Sequence, residues 1–336
     1  MKSMDHWGRI QAAINGDEVD HPPIAFWKHF PEDDMHVMKL VRHTVEWQRK
    51  WAFDLVKFMP PGTFSAEAWG AVSAFESAQN GARVIIEPAV RQYADWAQIK
   101  PVSATRGAFG RQNEALAYAA RFLRGSVPIL QTVFSPLATA RKMSSDRLYA
   151  DLRCAPDAVE QALEAITETT IEFALAALDA GAHGVFFATQ QASSRILTEA
   201  EYERFGKKYD LMVLDAIRDK TRFNMLHAHG EDIMVPLLSA YPVHMVNWHD
   251  RLTYPSLAQA VATLPGLLVG GVDESRTLLY GSDEDIALEI RDALEQTGGR
   301  RLMLAPGCVL HTATPDRAIA AAIAAVRSPE HQALCA

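Results

Sequence analysis

The chain has 336 residues, 49% apolar and 22% charged, an ordinary soluble globular balance with ample material for a core. A formal charge of −8 argues against nucleic acid or an anionic membrane surface as the main partner, and no apolar run approaches the ~20 residues that span a bilayer. Three widely spaced cysteines (Cys154, Cys308, Cys335) suggest no disulfide framework. The stretch from Met1 to Trp7 lacks a signal-peptide core, and together these features point to the reducing cytoplasm.

Short β-rich apolar runs recur along the chain, most of them followed by an amphipathic helical pattern. Strand one is expected at 23–27, with a helix over 35–51, and strand two at 53–58, closed by Pro60-Pro61-Gly62. A helix over 113–124 precedes strand three at 127–134. Pro156 opens a long helix that ends at Gly181, and strand four follows at 183–188. Thr198 and Glu201 read as a capping box for a helix through Ile217. Strand five spans 223–229, with a helix over 232–241, and strand six spans 244–248, with a helix over 256–264. Strand seven is 267–272, with a helix after Ser282, and strand eight is 301–304, with an alanine-rich helix through Val326.

Eight strands alternating with helices predict an α/β fold, a (β/α)8 TIM barrel. A doubly wound open sheet is the alternative, but the first strand–helix junction has no glycine-rich phosphate loop. Residues 63–110 fit neither repeat and are expected to form an insertion or cap over the barrel mouth. No Pro/Ser-rich linker divides the chain, so residues 1–336 are read as one domain.

Active sites of such barrels lie at the C-terminal strand ends. Trp27, Lys28 and His29 follow strand one, Lys57 and Met59 strand two, Phe134 strand three, and Gln190 and Gln191 strand four. His227 and His229 end strand five, and Asn247, Trp248, His249 and Asp250 follow strand six. Asp273 ends strand seven and Cys308 strand eight. In His227-Ala228-His229 the two imidazoles project to one side of a strand. With Cys308 they would make a three-ligand zinc site with an open fourth position, the catalytic arrangement. The same residues also read as two packed histidines and an unrelated cysteine. Asp273 is a candidate fourth ligand or proton acceptor. Trp27, Phe134 and Trp248 are candidate pocket walls, and Lys28, His29, Gln190 and His249 candidate polar contacts to a small-molecule substrate. His249-Asp250-Arg251 also reads as a polar loop. Asp54, inside an apolar strand, needs either a partner or a function, because an unpaired buried carboxylate is costly.

Several stretches resemble the uroporphyrinogen decarboxylase superfamily. They are Gly181-Ala182-His183-Gly184-Val185-Phe186-Phe187-Ala188-Thr189-Gln190, Thr198 through Phe205, Gly270-Gly271-Val272-Asp273, and Ala305-Pro306-Gly307-Cys308 with Thr314-Pro315. The likeness covers nearly the whole chain and implies a (β/α)8 barrel with a deep cleft at its C-terminal face. True decarboxylases of this superfamily carry an arginine-rich segment after strand one. Here that stretch reads Phe26-Trp27-Lys28-His29-Phe30-Pro31, with no arginine to clamp a polycarboxylate. Asp54 is similar to the decarboxylase aspartate that faces pyrrole nitrogens.

The other branch, cobamide-linked thiol methyltransferases, binds zinc through His-x-Cys and a distant Cys. His227 matches that histidine and Cys308 the second cysteine, while His229 stands where the first cysteine would be. The resemblance therefore implies zinc on His227, His229 and Cys308, a corrinoid carried by a separate protein, and barrels that often pair as homodimers. Two imidazoles and one thiolate leave the metal near +1 where two thiolates would leave it neutral, which makes a stronger Lewis acid. Methyl transfer to a thiol is the leading expectation. A metal-free carboxy-lyase using Asp54 and a non-catalytic corrinoid-protein-binding barrel are the alternatives.

Overall fold

The structure, a computed structural model, describes residues 3–328; Met1, Lys2 and Cys335 lie outside them. Seven strands form one parallel sheet: β1 (Val56–Phe58), β4 (Ile129–Phe134), β5 (Gly184–Thr189), β6 (Met225–Ala228), β7 (Met245–Trp248), β8 (Leu267–Val272) and β9 (Leu302–Pro306). They pair in that order, each in parallel with the next. Most of these strand residues are buried on both faces, as a parallel sheet wrapped in helices requires.

The expected strand one is reduced to a single bridge between Ile24 and Leu304. It still closes the sheet into a barrel. Ala25 N donates to Leu304 O, Leu304 N to Pro23 O, and Asp54 N to Ile24 O on the other side. Pro22 and Pro23 have no N–H to donate, so the ladder cannot extend toward the N-terminus. Strand two is likewise shorter than expected, starting at Val56.

The helices follow the pattern with shifted ends. Capping boxes at Thr198/Glu201, Ser256/Gln259 and Ser282/Asp285 open three of them. The helix expected over 232–241 shrinks to Val235–Leu238. Asp232 is left-handed (φ 49°), and Ile233 pairs with Ser193 instead of entering a helix. Pro236 can occupy only a first turn. Among the described residues no helix is long and apolar enough to cross a membrane.

The insertion carries its own two-stranded antiparallel ribbon, β2 (Val72–Ala74) and β3 (Val84–Glu87). Its tip crosses the mouth, and Thr312 N, in the loop after β9, donates to Gln79 O at 2.8 Å. Gly81 (φ 78°) sits where a Cβ would lie 2.9–3.0 Å from Pro31, His29 and Thr312. The tip can therefore press onto the strand-one loop only as glycine.

Candidate metal centre and cleft

His227 lies in β6 and His229 one residue beyond it, so both rings face the same side, with centroids 5.8 Å apart. Cys308 arrives from the end of β9 and His249 from the end of β7. The ligand atoms of these four residues all lie within 4.8 Å of one another. Cys308 Sγ is 3.7 Å from His229 Nδ1 and 4.0 Å from His227 Nε2, and His249 Nε2 is 3.2 Å from His229 Nδ1. Zinc–ligand bonds of 2.0–2.3 Å at tetrahedral angles separate donors by about 3.5 Å, so this set fits a zinc ion without rearranging the backbone.

Neighbouring side chains aim the donors. Asn247 Nδ2 donates to Val269 O at 2.9 Å and Pro306 O at 3.1 Å, so its Oδ1 is the acceptor for His227 Nδ1–H at 2.6 Å. That bond selects the tautomer whose Nε2 lone pair faces Cys308. Glu274 holds the other half. Its Oε1 lies 3.4 Å from His249 Nδ1, and its Oε2 accepts from Gly307 N at 3.1 Å. A side chain at Gly307 would meet the His249 backbone at 2.9 Å, so glycine lets the cysteine loop come this close.

Burial alone would push the Cys308 thiol up, but His227, His229 and His249 outweigh it and hold the thiol well below its usual range. For His249 burial works downward, while Cys308 and Glu274 overcome it and raise the imidazole. A thiolate among imidazoles is the form that binds metal.

The cluster opens onto a cleft of about 210 Å³. His29, Lys57, Phe134, Lys142, Phe186, Gln190 and Arg83 line it together with His227, His229 and Cys308, and among the described residues no carboxylate does. Burial pushes the Lys57 ammonium down to about 7 and that of Lys142 to about 8. Lys57 Nζ sits 3.8 Å over the Phe186 ring, which stacks on His227. Among the described residues it forms no ion pair. Lys142 donates to Gln190 Oε1 at 2.9 Å.

The remaining expected residues lie elsewhere. Trp27 stands behind the cleft, edge-on to Phe186, and Lys28 turns outward over Trp47. Trp248 is wholly buried, with its Nε1 donating to Pro255 O. Asp273 is taken up locally: Oδ1 accepts from Ser275 N, Ser275 Oγ and Arg276 N, and Oδ2 from Arg276 Nε. It is absent from both the donor cluster and the cleft lining. Asp54 sits at the opposite, N-terminal end of the barrel, bonded to His6, Arg9 and Ile24 N. His249, read as a substrate contact or a loop residue, instead joins the donors.

Lys142, Arg83 and Glu274 were not singled out from the sequence. Lys142 rides on the Pro136–Ser144 helix and Arg83 on the ribbon, so no strand end marks either one. Glu274 had a signal, being the second acid after β8. Strand alternation stops at Val272, and in the turn that follows Glu274 is the one that points inward.

Residues 6–329 match the family described as Uroporphyrinogen decarboxylase (URO-D). The chain is similar to the methylcobamide:CoM methyltransferases MtbA of Methanosarcina acetivorans and Methanosarcina mazei. Each is 22% identical over 296 residues, which cover 87% of this chain and 84% of the relative. Among solved structures, a methyltransferase from Methanosarcina mazei superposes with a TM-score of 0.80 at 20% identity, covering 96% of this chain and 98% of that one. A B12-independent methionine synthase from Shewanella sp. W3-18-1 superposes with a TM-score of 0.60 at 13% identity, covering 91% and 98%. At these identities the superpositions establish the barrel fold.

Proposed function

Because this chain belongs to the uroporphyrinogen decarboxylase family, we propose that it is a zinc-dependent methyltransferase moving a methyl group from a corrinoid on a separate protein to a small thiol. The observation that carries this reading is the convergence of four donor atoms within 4.8 Å at the mouth of the barrel. His227, His229 and Cys308 would hold zinc, and His249 stands beside the fourth position, which it would yield to the incoming thiol. When bound, zinc supplies a Lewis acid that lowers the pKa of an incoming thiol and presents its sulfur as an anion. The similarity to methyltransferases named for methylcobamide and CoM supports the donor and the acceptor class.

The chain's own residues do the rest. Asn247 and Glu274 hold the imidazoles in the tautomer and orientation that coordination needs. Lys57, Lys142 and Arg83 draw an anionic tail into the cleft, while Phe134 and Phe186 keep the reacting sulfur away from bulk water. The working unit is the whole chain as one barrel domain, acting in the reducing cytoplasm where Cys308 stays free. The carboxy-lyase alternative loses its aspartate, since Asp54 faces the far end of the barrel. Uncompensated lysines in an open cleft count against a barrel that only binds a partner.

Elemental analysis of purified protein, combined with transfer from methylcobalamin to 2-mercaptoethanesulfonate, tests the reading. About one zinc per chain and chelator-sensitive transfer are expected. Zinc near zero in the intact protein, or transfer untouched by chelation, overturns it.

A further inference from the structure

We propose that His29 and Asp34 form a proton-accepting pair for the nucleophile entering the cleft; methyl transfer enters only in making that nucleophile a thiol. His29 lines the cleft, and Asp34 lies behind it in the Asp33–Met35 turn. His29 Nδ1 is 3.7 Å from Asp34 Oδ2. Exposure is 6% for His29 and 2% for Asp34. Among the described residues neither His29 Nδ1 nor either Asp34 oxygen has a hydrogen-bond partner. Leaving three buried polar atoms unmet is costly, and two of them, His29 Nδ1 and Asp34 Oδ2, face each other just beyond bonding distance.

With Nδ1–H toward Asp34, the other ring nitrogen, Nε2, is the acceptor. When the thiol enters, its S–H bond breaks, the sulfur keeps the electron pair, and the proton goes to Nε2. As Nε2 takes that proton, Nδ1 passes its own to the Asp34 carboxylate across the bond that closes, so the ring stays neutral and the carboxyl carries the added proton. The unmet atoms of the resting pair are then satisfied together. Gly81 of the ribbon packs against His29 Cβ and limits access of water from that side.

The surroundings set where the pair titrates. Lys57, Lys142 and Cys308 face His29; Arg83, Glu32, Glu67 and Asp33 surround Asp34. Burial first and Lys57 second hold the His29 imidazole down to about 4, while burial pushes the Asp34 carboxyl up to about 7. The two share one proton, taken up as a unit near neutrality. The pair accepts while that proton is absent, so its contribution grows as pH rises through about 7.

Two measurements on the zinc-loaded full chain test this. The first is a difference titration of wild type against Asp34→Asn without any thiol. A one-proton difference centred near pH 7 is expected, and no difference overturns the pair. The second is calorimetry of 2-mercaptoethanesulfonate binding at pH 8 in buffers of different ionisation enthalpy. Negative charge on the bound sulfur raises the pair above its resting value near 7. Wild type should therefore retain the thiol proton at pH 8, whereas His29→Gln and Asp34→Asn should release about one more proton per thiol at unchanged zinc content. Equal release in all three overturns the role. Absence of thiol binding to wild type would instead overturn the methyl-transfer reading, and the first measurement would still decide the pair.

Discussion

The two ends of the barrel treat charge in opposite ways. At the N-terminal end acids and bases are matched. Arg9 bridges Asp54 and Asp20, His6 adds a second contact to Asp54, and Asp54 also caps Ile24 N, tying the first helix to the reduced first strand. At the C-terminal end Lys57 and Lys142 are half-buried with no acid paired to them among the described residues, and Cys308 has three imidazoles around it. Matched buried charges hold a framework together. Unmatched ones cost stability, and a fold keeps them where a ligand completes them.

The comparison can be broken by exchanging the consequences of mutation. Cys308→Ser should lower zinc affinity by roughly 100-fold or more and abolish transfer, while leaving urea unfolding of the metal-free protein unchanged. Metal titration alongside unfolding checks this, and retained zinc would place the centre elsewhere. Asp54→Ala should do the reverse. It leaves Arg9 with a lost partner in a buried site and should cost about 3 kcal/mol by urea unfolding, with zinc content intact. Loss of metal without loss of stability would move Asp54 into the active site and revive the carboxy-lyase reading.

Smaller effects sharpen the contrast within the cleft. Asn247→Ala frees the His227 ring without removing a donor, so zinc affinity in a chelator competition should fall by about 10- to 100-fold. Lys57→Met should raise KM for an anionic thiol by about 10-fold at pH 6, with kcat and the KM for neutral 2-mercaptoethanol little changed. The pH dependence follows from burial, which pushes the Lys57 ammonium down to about 7. Lys57 is a cation below that pH, so its contribution to anion binding is present at pH 6 and lost as pH rises through about 7. A wild-type KM that stays flat from pH 6 to 8 would remove Lys57 from anion recognition.

Much of this was readable before any coordinates. Seven of the eight expected strands appear within a few residues of their predicted places, because apolar periodicity and turn residues act locally. Strand one was misjudged in length, since tandem prolines remove donors that a propensity reading ignores. His227, His229 and Cys308 were legible because each ends an apolar run, and in a parallel barrel every such run ends at the same face. His249, Glu274, Lys142 and Arg83 were harder, since loops, a helix and the ribbon carry them there.

Strand order, the choice of mouth and the pairing of two imidazoles on one side were thus set by the linear pattern, because side-chain alternation needs only the neighbours in the chain. Which of Asp273 and Glu274 turns inward, which end of the barrel Asp54 serves, and whether His249 reaches the donors were decided by tertiary packing. A shift of one residue reverses a side chain's direction, and only contacts between distant strands select among such shifts.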